Sequence, residues 1–138
     1  MIKLLLITDS TGFPFYSKYF DKKYIQFEST LLSGLISAIG TVGKTLFNEE
    51  IATISFGENE ANNKIIIVSK ELISIGKVIY FVFIVQGNYN FKLMSQLATH
   101  IFIETKNVLK NNINLKQDLA PIIDNILQKN SFFAQINI

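Results

Sequence analysis

The chain has 138 residues, enough for one domain with a sizeable core, and its 49% apolar and 17% charged residues argue against disorder. It has no cysteine and only one histidine, His100, so disulfides and thiolate metal sites are excluded and a histidine-based zinc site is disfavoured. The net charge is +2 and all 13 basic residues are lysines, which disfavours nucleic-acid binding because arginine supplies the bidentate contacts to guanine and phosphate.

The hydropathy pattern predicts no membrane insertion. The longest apolar run, residues 78–85, is far shorter than the roughly 20 residues that a helix needs to cross a bilayer. The short apolar run after Lys3 ends at Asp9, too early for a signal peptide. We therefore expect a cytoplasmic protein.

Eight secondary-structure elements are predicted from the apolar periodicity and the turn residues between them. In chain order they are strands at 3–8 and 15–20, a helix at 24–47, strands at 51–56, 64–70 and 78–86, and helices at 91–109 and 119–129. Pro121 is expected in the first turn of the last helix, where proline is tolerated. The order ββαβββαα predicts an α+β fold with the helices layered on a sheet.

The strands divide into central and edge strands. The first, fourth and fifth contain unbroken apolar runs, which are typical of strands buried on both faces. The second and third interleave polar residues, as edge strands do. A five-stranded mixed or antiparallel sheet ordered 2-1-5-4-3 satisfies these assignments, with the first helix on one face and the last two on the other.

The first helix has two unlike faces at 100° per residue. An apolar arc is predicted to face the core and comprises Phe27, Leu31, Leu35, Ala38, Ile39, Val42 and Leu46. The opposite arc is small and almost uncharged and comprises Ser29, Thr30, Ser33, Gly34, Ser37, Gly40 and Thr41. Because small residues let two backbones approach and little charge must be desolvated, we interpret the second arc as a protein-binding surface.

The third strand is predicted to be an open edge. Between Ile51 and Phe56 it carries neither proline nor charge, the usual devices against edge-to-edge pairing. It is therefore a candidate for pairing with another chain, although the polar loop at 57–63, with Glu58 and Glu60, could itself discourage this.

Three motifs suggest chemistry but are better explained structurally. Gly40 to Thr45 ends like a phosphate-binding loop, yet its first glycine is replaced by Ala38 and it lies within a helix, not between strand and helix. His100 lacks a nucleophile and an orienting group nearby in sequence. Asp9, Ser10 and Thr11 are explained by turn formation. No catalytic, cofactor-binding or metal-binding residue is predicted.

The chain resembles a longin domain. The segments LLLITDSTGFPFYSKYF, LLSGLISAIGTVGKTLF and VIYFVFIV look like those of stand-alone archaeal longin proteins and of longin subunits in eukaryotic trafficking machinery. The resemblance implies one longin-like domain over residues 1–130, with a profilin-like topology and a relation to roadblock domains. Residues 131–138 form a C-terminal tail of unassigned role.

The resemblance also implies a non-catalytic module that acts by protein contact. Longin and roadblock domains commonly pair through the first helix and the neighbouring edge strand, and the pairs often serve small Ras-like GTPases. The partner implied is a second copy or a related longin or roadblock chain, and possibly a small GTPase. Carried onto this sequence, the implied interface is Thr30, Ser33, Gly34, Ser37, Gly40, Thr41, Lys44, Thr53 and Ser55.

Two other functions stay open at this point. An adaptor-like subunit would bind a peptide in an apolar groove beside the first helix, near Ile36 and Phe47. A small-ligand sensor or enzyme would need a pocket under the last two helices, where the sequence offers mainly aliphatic and aromatic side chains.

Overall fold

A computed structural model describes residues 2–24, 29–58, 62–87, 91–111 and 115–129. Within these ranges, five strands and three helices follow one another in the predicted order ββαβββαα. The strands are β1 (Ile2–Asp9), β2 (Tyr16–Tyr19), β3 (Ile51–Ser55), β4 (Asn63–Leu72) and β5 (Lys77–Gln86), and the helices are α1 (Ser29–Val42), α2 (Phe91–Asn111) and α3 (Leu115–Lys129). Short 3₁₀ turns at Lys22–Tyr24 and Ile73–Ile75 and a π-helical turn at Gly43–Phe47 connect them.

The sheet has the predicted order β2-β1-β5-β4-β3, and every neighbouring pair is antiparallel. β5 lies at the centre between β1 and β4, and the residues of its apolar run are buried on both faces apart from Val78, which is half-buried. The separation of the strands into central and edge positions is therefore confirmed. Buried apolar runs without alternation do mark the inner strands here.

Each face of the sheet carries its own apolar layer. α2 and α3 cover one face, where Leu97, Ile101 and Ile123 pack against Phe81 and Phe83. α1 covers the other face, where Leu32 and Ile36 pack against residues of β1, β4 and β5. The predicted distribution of helices, one against two, is confirmed.

A polar contact fastens α3 to the edge strand β2. The Tyr16 hydroxyl donates to Asp124 Oδ1 at 2.7 Å, and Lys18 Nζ lies 3.3 Å from the same oxygen. Burial, and then the hydrogen bond to the Asp124 carboxylate, raises the pKa of Tyr16 well above its ordinary value. The phenol therefore stays neutral and keeps donating.

Two predicted boundaries differ from the structure in ways that matter. α1, described from Ser29 onward, ends earlier than expected, at Val42, and gives way to the π-helical turn at Gly43. α3 begins four residues earlier than expected, so the placement of Pro121 in its first turn is wrong. Pro121 instead lies within the helix on its exposed side, where it removes one backbone hydrogen bond without disturbing the packed face.

Candidate protein interface

The first helix is rotated relative to the prediction. The α1 residues that are buried against the sheet are Leu32, Ser33 and Ile36, with Gly40 buried one turn later. The apolar arc that was expected to face the core is largely exposed, so that expectation is wrong. Within it only Ile39 is half-buried against the sheet, and Phe27 lies outside the described residues.

Gly40 is a point of close approach between α1 and the sheet. A Cβ built on Gly40 would lie 2.3 Å from Cε1 of Tyr80, a β5 residue that is itself buried. Contacts below about 3 Å are not tolerated by side chains, so the helix can sit at this depth only with glycine at position 40. Small residues on this side of α1 therefore serve packing within the chain.

The flank of α1 next to β1 is covered by the loop between β1 and β2. Ser37 Oγ donates to the carbonyl oxygen of Ser10 at 2.8 Å. Gly12, with φ of +81°, passes so close that a Cβ on it would be 3.4 Å from the Gly34 Cα. The small residues thus let this loop lie against the helix.

The loop is held at its base by a buried carboxylate. Asp9 Oδ1 accepts from the Thr11 backbone N–H at 2.8 Å and from the Thr11 hydroxyl, and Oδ2 lies 2.7 Å from Lys77 Nζ. The Asp9 side chain is 1% exposed, so the ion pair with Lys77 compensates a charge that water does not reach. The explanation of this motif as turn formation is confirmed.

The side of α1 away from this loop presents an exposed apolar surface. We call it the α1 apolar face, and it consists of Leu31 (71% exposed), Leu35 (52%), Ala38, Val42 (49%) and Leu46 (70%). Helical periodicity places Ile39 at its inner border, where that residue packs into the layer that includes Ala52 and Ile54 of β3. Through Ile39 the face borders the apolar layer to which β3 also contributes.

The side chains of β3 alternate between the two faces of the sheet. Ala52 and Ile54 point to the α1 side. Thr53 and Ser55 point to the side of α2 and α3, because their β4 neighbours Ile66 and Lys64 belong to the opposite row. The residues of this strand on the α1 side of the sheet are therefore Ala52, Ile54 and, by the same alternation, the exposed Phe56 that follows them.

The outer edge of β3 offers backbone hydrogen-bonding groups to a further strand. Phe56 N–H donates to Asn63 and Ser69 N–H donates to Glu50, so the even-numbered residues of the strand bond to β4. In an antiparallel ladder the intervening residues direct their N–H and C=O groups the other way. Ile51, Thr53 and Ser55 therefore face the open edge, and β4 is the only strand paired with β3 among the described residues.

The residues of the predicted interface do not form one exposed surface. Ser33 and Gly40 are buried against the chain's own sheet, Ser37 is engaged by Ser10, and Gly34 and Thr41 are exposed. Thr53 and Ser55 are exposed, but on the other side of the sheet from α1. The side chains of Thr30 and Lys44 lie outside the described part of the structure. The interface as a whole stays a prediction. The exposed surface of α1 is formed mainly by the α1 apolar face and not by the predicted small residues.

The groove predicted near Ile36 and Phe47 is not formed by those residues. Ile36 is completely buried under α1, whereas Phe47 projects into solvent from the π-helical turn. Sequence periodicity could have indicated this, because Leu32 and Ile36 lie four residues apart between the two arcs and are typical of an inward stripe.

The segment that resembles a phosphate-binding loop lies in α1 and its π-helical turn, not between a strand and a helix. Within the described ranges no group of three or more His, Asp or Glu side chains is arranged to hold a metal ion. Nor does any helix in those ranges combine the length and apolarity needed to cross a membrane.

The element order and sheet order define an α+β fold of the longin and roadblock type, as the sequence resemblance implies. No protein-family model matches the chain, and no curated protein matches it in sequence. Among solved structures, the chain is similar to Myxococcus xanthus MglB, at 14% identity and a TM-score of 0.45, over 66% of this chain and 69% of that one.

Proposed function

We propose that this protein is a non-catalytic interaction module that pairs with a second chain of longin or roadblock type, its own copy or a relative. The observations that carry the proposal are the exposed α1 apolar face and the open edge of β3, whose residues Ala52 and Ile54 belong to the same apolar layer as α1. A contiguous exposed apolar surface is characteristic of an interaction site, since monomeric proteins seldom leave large ones uncovered.

The energetics favour a partner that covers both features together. Completing the burial of a leucine contributes up to about 1.5–3 kcal/mol, less here because each side chain is already partly covered. Leu31, Leu35, Val42 and Leu46 together would supply several kcal/mol, which is comparable to the cost of bringing two chains together. Backbone pairing at β3 would add direction and register.

Two copies can satisfy the outer edge of β3 symmetrically. Antiparallel pairing with the Thr53 backbones opposite each other sets Ile51 against the partner's Ser55 and uses every outward N–H and C=O of the strand. The same arrangement brings the two α1 helices to one side of a continuous sheet. We propose this register for a symmetric pair.

Within this proposal the pair acts as a scaffold or regulatory platform for a small Ras-like GTPase or a trafficking-type complex. This part rests on the longin resemblance. Binding a panel of purified small GTPases, each loaded with GDP or a GTP analogue, would test it. The paired protein should retain at least one of them, and a variant that cannot pair should retain none.

A matched pair of charge insertions tests the pairing surface. Leu35 on α1 and Ile103 on α2 are equally exposed, at 52% and 55%. In sedimentation velocity at 1 M NaCl, where charge effects are screened, we expect the wild-type chain to dimerise with increasing concentration. Leu35→Glu should stay monomeric and Ile103→Glu should behave as wild type. Equal behaviour of the two variants beside a dimerising wild-type chain would contradict the proposal, whereas a wild-type chain that stays monomeric would exclude the symmetric pair and leave a related chain as the partner.

A further inference from the structure

The ends of β3 are acidic, and this bears on which partner the proposed interface accepts. Glu49 and Glu50 immediately precede the strand and Glu58 follows it by three residues, and all three side chains are exposed. The strand itself carries no charge between them. Any antiparallel strand added to this edge must therefore place its own two ends next to these carboxylates.

A second copy would bring like charges together. In antiparallel pairing centred on Thr53, Glu49 of one chain lies opposite the partner's Gly57, one residue from the partner's Glu58. Adjacent strands are only about 4.8 Å apart, so both ends of the strand pair would hold clustered carboxylates. Like charges placed opposite each other across strands are destabilising.

The neighbouring lysines of β4 lie on the side of the sheet that α2 and α3 cover. Lys64 and Lys70 of β4 share the row of Ile66 and Val68, which packs under α2 and α3. They are half-buried on that side, whereas Glu71, the next β4 residue, adds a further exposed carboxylate on the α1 side. The end of the sheet where β3 begins is therefore acidic on its α1 side.

We infer that the preferred partner is a different chain whose edge strand is flanked by lysine or arginine and whose covering helix is apolar. This inference rests on the proposed function. It narrows the choice of partner, which there is a second copy or a related chain, to a related chain with basic residues beside its edge strand. Charge complementarity at the strand ends would then select the partner and fix its orientation, while the α1 apolar face supplies affinity.

The chain itself can be converted into a surrogate for that partner. Glu49→Lys/Glu58→Lys reverses the strand ends, and Glu104→Lys/Asp118→Lys makes the same change in net charge on the exposed surfaces of α2 and α3. One species, labelled at its amino terminus, is followed by sedimentation at 0.05 M and 1 M NaCl. Circular dichroism checks that both variants fold.

At 0.05 M NaCl the mixture of wild type with Glu49→Lys/Glu58→Lys should form a one-to-one complex with a Kd about tenfold or more below that of the wild-type homodimer. The gain should shrink at 1 M NaCl, and wild-type homodimerisation should strengthen as salt increases. The control mixture should show no gain.

The same measurements distinguish failure of the basic-partner inference from failure of the proposed function. A wild-type homodimer that is as tight as the mixture and is insensitive to salt, yet is broken by Leu35→Glu, would overturn the basic-partner inference and leave the proposed function standing. Failure of wild type and mixture to associate at either salt concentration would overturn both.

Discussion

Replacing Gly40 by alanine tests the packing that turns the leucines of α1 outward. The new methyl carbon would lie 2.3 Å from Tyr80 Cε1, 2.7 Å from Cζ and 2.9 Å from Cδ1. Three contacts inside the normal separation fall on a ring that is 2% exposed and cannot swing into solvent. The helix or the ring must therefore move.

The net effect is a balance of two terms. Alanine within a helix is about 1 kcal/mol more favourable than glycine, whereas overpacking a core costs typically about 1–3 kcal/mol. Because the overlap involves three atoms of a confined ring, we expect the steric term to prevail and Gly40→Ala to lose about 1–2 kcal/mol of unfolding free energy. Urea denaturation monitored by circular dichroism measures this.

Gly34→Ala is the matched control for this experiment. Gly34 lies in the same helix, and nothing is within 4 Å of the position its Cβ would take. Alanine there should stabilise the protein by about 0.5–1 kcal/mol. If Gly40→Ala proved as stable as Gly34→Ala, the described depth and rotation of α1 would be wrong, and the exposure of the α1 apolar face would lose its basis.

Three further substitutions examine other contacts. Tyr16→Phe should cost about 1 kcal/mol by removing the hydrogen bond to the partly exposed Asp124. It should also flatten the alkaline limb of the stability curve: the Tyr16 pKa is raised on folding, so wild-type stability falls above about pH 10, where only the unfolded tyrosine ionises. Lys77→Met should cost about 2–3 kcal/mol in thermal or urea unfolding, because it strands the buried Asp9 charge; an unchanged midpoint would mean that the pair contributes nothing. Thr53→Pro should abolish dimerisation in sedimentation while leaving the monomer folded, because the Thr53 N–H points away from β4; a dimer that survives it would exclude pairing at β3.

The order of strands in the sheet was predictable because a strand that is buried on both faces has a continuous apolar sequence. Continuous apolar runs such as residues 4–7 and 78–85 can be accommodated only in inner strands, and short turns between neighbours leave few possible orders. The Asp9 turn was also predictable, since its hydrogen bonds join residues two apart in sequence.

The orientation of α1 was not predictable in this way. Periodicity identified an apolar and a small-residue arc, but assigning the apolar arc to the core assumed that one chain must bury it. The orientation of the helix depends on a contact between Gly40 and Tyr80, which are 40 residues apart in sequence. It also depends on Leu32 and Ile36 being the apolar residues of α1 that are buried against the sheet. The side-chain directions of Thr53 and Ser55 likewise depend on the register with β4.

The pairing of β3 with another chain can be measured directly by residue-resolved amide hydrogen exchange in NMR, under conditions where sedimentation detects a dimer. In the monomer, the Ile51, Thr53 and Ser55 amides should exchange much faster than those of Ala52 and Ile54, which are directed at β4. On dimerisation we expect Thr53 to become as protected as Ile54, and Leu35→Glu to remove that protection. A dimer in which the Thr53 amide still exchanges at its monomer rate would contradict the assignment of β3 as the pairing edge.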